Sequence, residues 1–194
     1  MPQQSQPASA YVLGVRVDRV SQPQALDMID QMITLLRTSG HPSPCKQIVT
    51  VNTEFVMAAQ KNSEFRQTIN NAALVVADGI GVVWATRFVG FPTPERITGT
   101  DTLVALAKRC AEKGYRLYLL GATPGVAEQT GVCLQALAPG LQIAGTYGGS
   151  PAPAEEDAII ERIHVARADV LCVAYGAPAQ ELWISRNLSR LPRQ

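Results

Sequence analysis

Residues 73–88, ALVVADGIGVVWATRF, decide how the chain folds. An uninterrupted apolar run ends on Asp78, passes Gly79 and Gly81, and resumes as GVVWATRF with apolar residues at helical spacing. A run without polar alternation suits a strand buried on both faces, and a helix directly after it suits a crossover to a parallel neighbour. The same order of strand, polar or glycine turn and helix recurs outward in both directions. QIVTVN (47–52) precedes helical TEFVMAAQ and SEFRQTINNA, YRLYLLG precedes a helix over 124–137, LQIAGTY precedes one near 154–166, and ADVLCVAYG precedes one from about 178 to 190. VLGVRV (12–17) reads as a short strand, and Ser21 with Gln24 forms a capping-box pattern opening a helix through about Arg37. Residues 101–113 read as a helix, 40–45 as a loop, and VGFPTPERITG as an irregular connection. The expected fold is α/β, a Rossmann-like, mostly parallel sheet with helices on both faces. Residues 1–10 read as a disordered, solvated tail and 11–194 as a single domain.

Composition narrows the function. The 194 residues carry 17 Lys+Arg against 16 Asp+Glu, a formal charge of +1, which argues against a nucleic-acid-binding surface. Only 17% of residues are charged and 46% are hydrophobic, which excludes disorder over the whole length. No apolar run is long enough for a membrane span, and MPQQSQPASA lacks the features of a secretory signal. Cys45, Cys110, Cys133 and Cys172 have no C-x-x-C spacing, so a reduced, cytoplasmic protein is expected, with the last three as small core residues. With two histidines, His41 in a Pro/Ser-rich loop and His164 on a helix, acid–base chemistry falls to carboxylates. There is no D-x-D at a strand end to hold a divalent ion against a diphosphate, so no metal and no cofactor are expected. Asp27 and Asp30 read as the solvated face of the first helix, and Glu155, Glu156 and Asp157 as acidic residues favoured near a helix start.

Ligands of such sheets bind outside the carboxyl ends of the strands. That rule selects residues 50–52, 78–81, 121–125, 146–149 and 175–180. In LLGATPGVAEQT, Gly121 leaves a strand, Thr123 reads as N-cap, Pro124 as the first helical residue, and Gly125 lies beside it; free N–H groups there favour an anion such as a diphosphate. It is neither G-x-G-x-x-G nor a P-loop, and an ordinary strand–turn–helix joint explains it equally. Asp78 has the position of a general base, although an aspartate capping the next helix is the commoner arrangement. Arg96, in ERITGTD, is either a solvated charge or a clamp on phosphate. In VAYGAPAQELW, Gly176 follows a strand, Gln180 can bond a sugar hydroxyl, Glu181 complements a helix N-terminus, and Trp183 reads as core.

In order and wording, TVNTEF, ADGIGVVWATRF, ERITGTD, LYLLGATPGVAE, LQIAGTYGG and VAYGAPAQELWI resemble the WecG/TagA/CpsF glycosyltransferase family, from about Val12 to the last helix. The resemblance implies a metal-independent, inverting transfer of N-acetylmannosamine, or a related hexose or uronic acid, from a UDP-sugar. The implied acceptor is N-acetylglucosamine linked to undecaprenyl diphosphate, in cell-wall teichoic acid or surface polysaccharide synthesis. The place implied is the inner face of the bacterial membrane, with a peripheral attachment; self-association also fits. By similarity Asp78 matches the catalytic base, and Thr50, counted with it as catalytic, and Asn52 match polar residues at the lip of the same pocket. Arg96 and Gln180 match residues that bind donor sugar and phosphate. Gly121, Gly125, Tyr147, Gly148 and Gly176 complete the implied substrate-binding set.

Two departures stand out. Where the family places an aromatic residue able to stack on uracil, this chain has Gly149, leaving Tyr147 as the candidate. Family members also continue past the last helix into an Arg-rich tail, which the resemblance implies this chain lacks; Arg186, Arg190 and Arg193 leave its end with a basic bias. The rival readings are an NAD-dependent oxidoreductase, opposed by the broken glycine fingerprint, and a nucleotide-binding domain without catalysis.

Overall fold

The computed structural model describes residues 7–38 and 45–191. Residues 1–6, the loop expected around His41, and Arg193 lie outside them. The chain is α/β and Rossmann-like, with parallel strands alternating with helices. It divides into two compact units, Met1–Asp27 with Gln47–Gly99, and Met28–Lys46 with Thr100–Gln194.

The first unit begins with an antiparallel hairpin, β1 (Ser9–Val12) and β2 (Val15–Asp18). VLGVRV was expected to be one strand. Instead Leu13 (φ 48°) and Gly14 (φ 79°) are both left-handed, the geometry of a two-residue hairpin turn, so the chain reverses inside that stretch. The turn uses Leu-Gly where Asn-Gly is the common signal, which is why the sequence hides it. Ser9 and Ala10 belong to β1, so the solvated tail expected over 1–10 is shorter at its inner end.

The expected capping box opens α1 (Gln22–Thr38): Ser21 N donates to Gln24 Oε1 at 2.8 Å, and Gln24 N to Ser21 Oγ at 3.4 Å. Next come β3 (Ile48–Val51), α2 (Thr53–Lys61), α3 (Ser63–Asn71), β4 (Leu74–Ala77) and α4 (Ile80–Phe88). β3 and β4 are parallel, Ile48 opposite Leu74 through Val51 opposite Ala77. All four residues of β4 are buried, as the unbroken apolar run requires. Asp18, 3% exposed at the end of β2, accepts from Val75 N at 2.8 Å and from Ser9 Oγ at 2.7 Å, and lies 3.2 Å from Arg16 Nε. A buried carboxylate is tolerated when donors surround it in this way.

The second unit holds α5 (Gly99–Lys113, all but its first residue), β5 (Arg116–Gly121), α6 (Val126–Leu137), β6 (Gln142–Tyr147), α7 (Glu156–Ala166, after a 3-10 turn over Pro153–Glu155), β7 (Val170–Ala174) and α8 (Ala179–Asn187). Its parallel sheet has the order β6-β5-β7, with β5 buried in the middle. Trp183, fully buried as expected, packs with Tyr118, Leu120, Ile159, Ile163 and Leu191. Asp30 is not simply solvated: it accepts from Tyr115 Oη at 2.7 Å and faces Arg109 at 3.8 Å and Lys113 at 3.7 Å. Cys110 is buried, and burial pushes its thiol up to about 12. Cys133 is exposed on α6, against its expected place in the core, because the apolar stretch VAEQTGVCLQAL turns its face at Cys133 away from the sheet.

β5 and β7 touch at Gly121, whose φ of +101° suits only glycine and whose added Cβ would lie 2.7 Å from the carbonyl carbon and oxygen of Ala174. Gly121→Ala is therefore expected to cost about 2–4 kcal/mol, combining backbone strain with overpacking against rigid backbone. Urea unfolding monitored by circular dichroism checks it.

Candidate active site

In the first unit, the strand ends bring three of the expected residues together. Thr50 lies on β3, Asn52 directly after it, and Asp78 directly after β4, where Asp78 N donates to Val51 O at 2.8 Å. The segment after α4 then returns over these ends. Ile97 N donates to Ala77 O at 2.7 Å, and Gly99 N donates to Asp78 Oδ2 at 3.2 Å. A methyl group on Gly99 would sit 3.4 Å from Thr50 Oγ1 and 3.7 Å from Asp78 Oδ2, so Thr50 and Asp78 flank the same backbone. Gly79 is similarly close, 3.4 Å from Asn52 Cα by the same construction. Asp78 thus serves a helix start, but that of α5 at Gly99; α4 begins from Gly79 with no side-chain cap. One carboxylate oxygen is engaged by backbone, which fixes the direction of the other.

Asn52 has a structural task as well. Its Oδ1 accepts from Phe55 N at 3.0 Å and caps α2. Arg96 is exposed on the segment that carries Ile97 and Gly99. Gly99 itself was not singled out from the sequence, although it closes the ERITG motif; its signal is that a helix starts there against a strand end.

In the second unit, the carboxyl ends of β5, β6 and β7 converge. Ala122 N donates to Ala174 O at 2.8 Å, and an added Cβ on Gly148 would lie 3.6 Å from Ala122 O. α6 starts at Val126 from Gly125 in left-handed conformation, without a side-chain cap. Thr123 is therefore not the N-cap and Pro124 not the first helical residue: the positive φ of Gly121, Ala122 and Gly125 carries the chain further before it coils. An added Cβ on Gly125 meets nothing within 4 Å, so the turn faces open space. Glu128, in the first turn, accepts from Thr146 Oγ1 at 3.2 Å and places a negative charge beside this helix start.

Tyr147 is half-buried. The Arg162 guanidinium lies over its ring, 4.5 Å from the centroid, and an added Cβ on Gly149 would come within 2.8 Å of the ring. Glycine at 149 is thus what lets Tyr147 and Tyr175 come together, since the same Cβ would lie 3.0 Å from Tyr175 Oη. Burial pushes the Tyr175 phenol up to about 12, and its ring meets Trp183 edge-on at 6.0 Å.

Gln180 uses both ends of its amide within the protein. Oε1 accepts from Gly176 N at 3.1 Å, and Nε2 donates to Glu181 Oε1 at 2.7 Å. It holds the loop after β7, including the cis peptide between Ala177 and Pro178. Glu181 is 4% exposed; burial raises its pKa, with the Gln180 hydrogen bond opposing. At the far end of α8, Arg186 Nη2 bonds Glu156 Oε1 at 2.6 Å, and Arg190 bonds Asp157 and lies 3.7 Å from Glu156, so both cations are already matched by α7. Among the described residues no group of three or more His, Cys, Asp or Glu is placed to hold a metal ion.

The raised Glu181 pKa has a stability consequence. Its charged form is disfavoured in the folded chain, so the penalty is absent at pH below the ordinary carboxylate range and grows as pH rises through it. Glu181→Gln is expected to be more stable than the parent at neutral pH, with the difference closing on acidification. Urea midpoints of both proteins across that range measure it.

The model of the glycosyl transferase WecG/TagA/CpsF family matches residues 10–194. Similar curated proteins include the N-acetylglucosaminyldiphosphoundecaprenol N-acetyl-beta-D-mannosaminyltransferases of Staphylococcus aureus strains MRSA252 and NCTC 8325 / PS 47. Each is 30% identical over 182 residues, 94% of this chain and 69% of theirs. With strand ends that present Thr50, Asn52 and Asp78 in one unit and Gly121, Tyr147, Gly148, Gly176 and Gln180 in the other, the chain belongs to the WecG/TagA/CpsF family of glycosyltransferases.

Proposed function

We propose that the protein transfers N-acetylmannosamine, or a related hexose or uronic acid, from a UDP-sugar to N-acetylglucosamine linked to undecaprenyl diphosphate, in cell-wall teichoic acid or surface polysaccharide synthesis. The observation that carries this is the placing of Asp78: a carboxylate at a strand end, one oxygen held by Gly99 N, beside Thr50, in a chain of this family. The relatives' names supply the acceptor and the sugar.

In the proposed reaction Asp78 takes the proton of the acceptor hydroxyl as its oxygen attacks the anomeric carbon. The bond from that carbon to the diphosphate breaks on the opposite face and UDP leaves, which inverts the configuration. One carboxylate suffices for a single displacement. Thr50 orients the acceptor beside Asp78, and Asn52 combines its capping role with a place at the pocket lip. Arg96 meets the negative charge gathering on the departing diphosphate. Gly121, Gly125, Tyr147 and Gly148 form the nucleotide-facing backbone; Tyr147, under Arg162, offers the uracil its edge or remaining face. Gln180 acts by holding the Gly176 loop in shape. The reaction needs no metal, and the protein works peripherally at the inner face of the bacterial membrane, where self-association is compatible with the same reading.

Calorimetric titration with UDP, with UMP, ADP and NAD as comparisons, is expected to show UDP binding tightest, unaffected by EDTA. Preference for NAD would point to an oxidoreductase. Asp78→Asn retains an oxygen able to accept from Gly99 N, so UDP affinity is expected to stay while turnover falls by about 10²–10⁴. Equal turnover in the variant would remove Asp78 as the base.

A further inference from the structure

The outer face of α4 presents Ile80, Trp84 and Phe88, which are 55%, 64% and 97% exposed. At about 100° per residue these three span a stripe about 80° wide, while Val82, Val83 and Thr86 are buried on the opposite side. Val89 (45% exposed) and Phe91 (54% exposed) are also exposed at and after the helix end. Contiguous exposed apolar surface of this kind marks a contact surface rather than ordinary surface scatter.

We propose that this face of α4 seats the protein on an anionic lipid bilayer. Three features favour lipid as the occupant. Tryptophan and phenylalanine are the residues that settle at the boundary between headgroups and acyl chains. The charge is complementary: α4 has no acidic residue and carries exposed Arg87 in its last turn. The stripe is also small. Its two aromatics, together with Phe91, offer on the order of 400 Å², about half of the roughly 800 Å² per partner of a stable protein interface.

A nine-residue helix cannot span a bilayer, and no helix among the described residues is long and apolar enough to do so, so α4 lies in the plane of the surface. Arg186 and Arg190 are already paired with Glu156 and Asp157. α4 starts two residues after Asp78. Resting on the proposed function, a lipid-linked acceptor would bring its sugar hydroxyl to Asp78 while its prenyl chain stays in the bilayer under α4.

Tryptophan fluorescence reads this directly. The chain has two tryptophans, and Trp183 is fully buried, so quenching by brominated lipid reports Trp84. With phosphatidylcholine vesicles containing about 30% phosphatidylglycerol, Trp84 is expected to be quenched and shifted to the blue, less so in high salt or without the anionic lipid. Flotation with the same vesicles is expected to fall about tenfold or more in the Trp84→Ser/Phe88→Ser double variant, whose two positions are exposed and outside the core. Should that variant lose its fold, Phe88→Ser alone keeps the Trp84 reporter and is expected to weaken quenching. Absence of quenching, or flotation unchanged in the variants, would overturn the proposal. So would a dimer in sedimentation velocity that the double variant makes monomeric without any vesicle binding, which would assign the stripe to a second copy. UDP titration of the same samples separates the two readings: UDP binding without vesicle binding removes only the lipid surface, and vesicle binding without UDP binding leaves the surface and removes the transferase reading.

Discussion

The hydrogen bond from Gly99 N to Asp78 Oδ2 is the constraint on which the candidate site of the first unit depends. It joins the end of β4 to a segment returning from 21 residues further on, and together with the bond from Ile97 N to Ala77 O it fixes where that segment lies. Thr50 and Asp78 then face the same glycine, and Arg96 rides on the segment so anchored. A Cβ at residue 99 would lie in van der Waals contact with Thr50 and the carboxylate. The aspartate also satisfies an N–H that a helix start would otherwise leave without an intrahelical partner. The structural use of Asp78 engages one oxygen of its carboxylate.

The second unit reaches a comparable result by close backbone packing. Gly121 against Ala174 draws the ends of β5 and β7 together, and Gly149 admits the rings of Tyr147 and Tyr175. Side chains there are restrained by neighbours within the fold: Arg162 over Tyr147, and Gln180 between Gly176 and Glu181. Groups held in this way lose little freedom when a ligand arrives, which is the condition for a preorganised site.

Charge is handled mostly inside each unit. Asp18, Asp30, Glu156 and Asp169 all sit among donors; Asp169, for example, receives Arg37 Nε at 2.7 Å and Arg116 N at 2.7 Å. With these pairs matched, α4 stands out by contrast, an apolar and aromatic face with an arginine at its end.

The sequence by itself determined the kind of protein this is. Unbroken apolar runs such as ALVVA can be satisfied only by strands covered on both sides, and the helical spacing after each run leaves a parallel α/β arrangement. Ser21 and Gln24, whose capping box is a local interaction, were legible for the same reason, and so was the core place of Trp183. The positions of Thr50, Asn52 and Asp78 at strand ends could be read because a polar residue ending an apolar run has few other places to lie. What required the tertiary structure were contacts between residues distant in the chain. The burial of Asp18 against Val75, the capping of α5 by Asp78 and the ring of Tyr147 under Arg162 each join residues whose local patterns say nothing of one another. The start of α6 at Val126 was hidden as well: local chemistry around Thr123 and Pro124 permits an earlier start, and the left-handed backbone at Ala122 and Gly125 delays it.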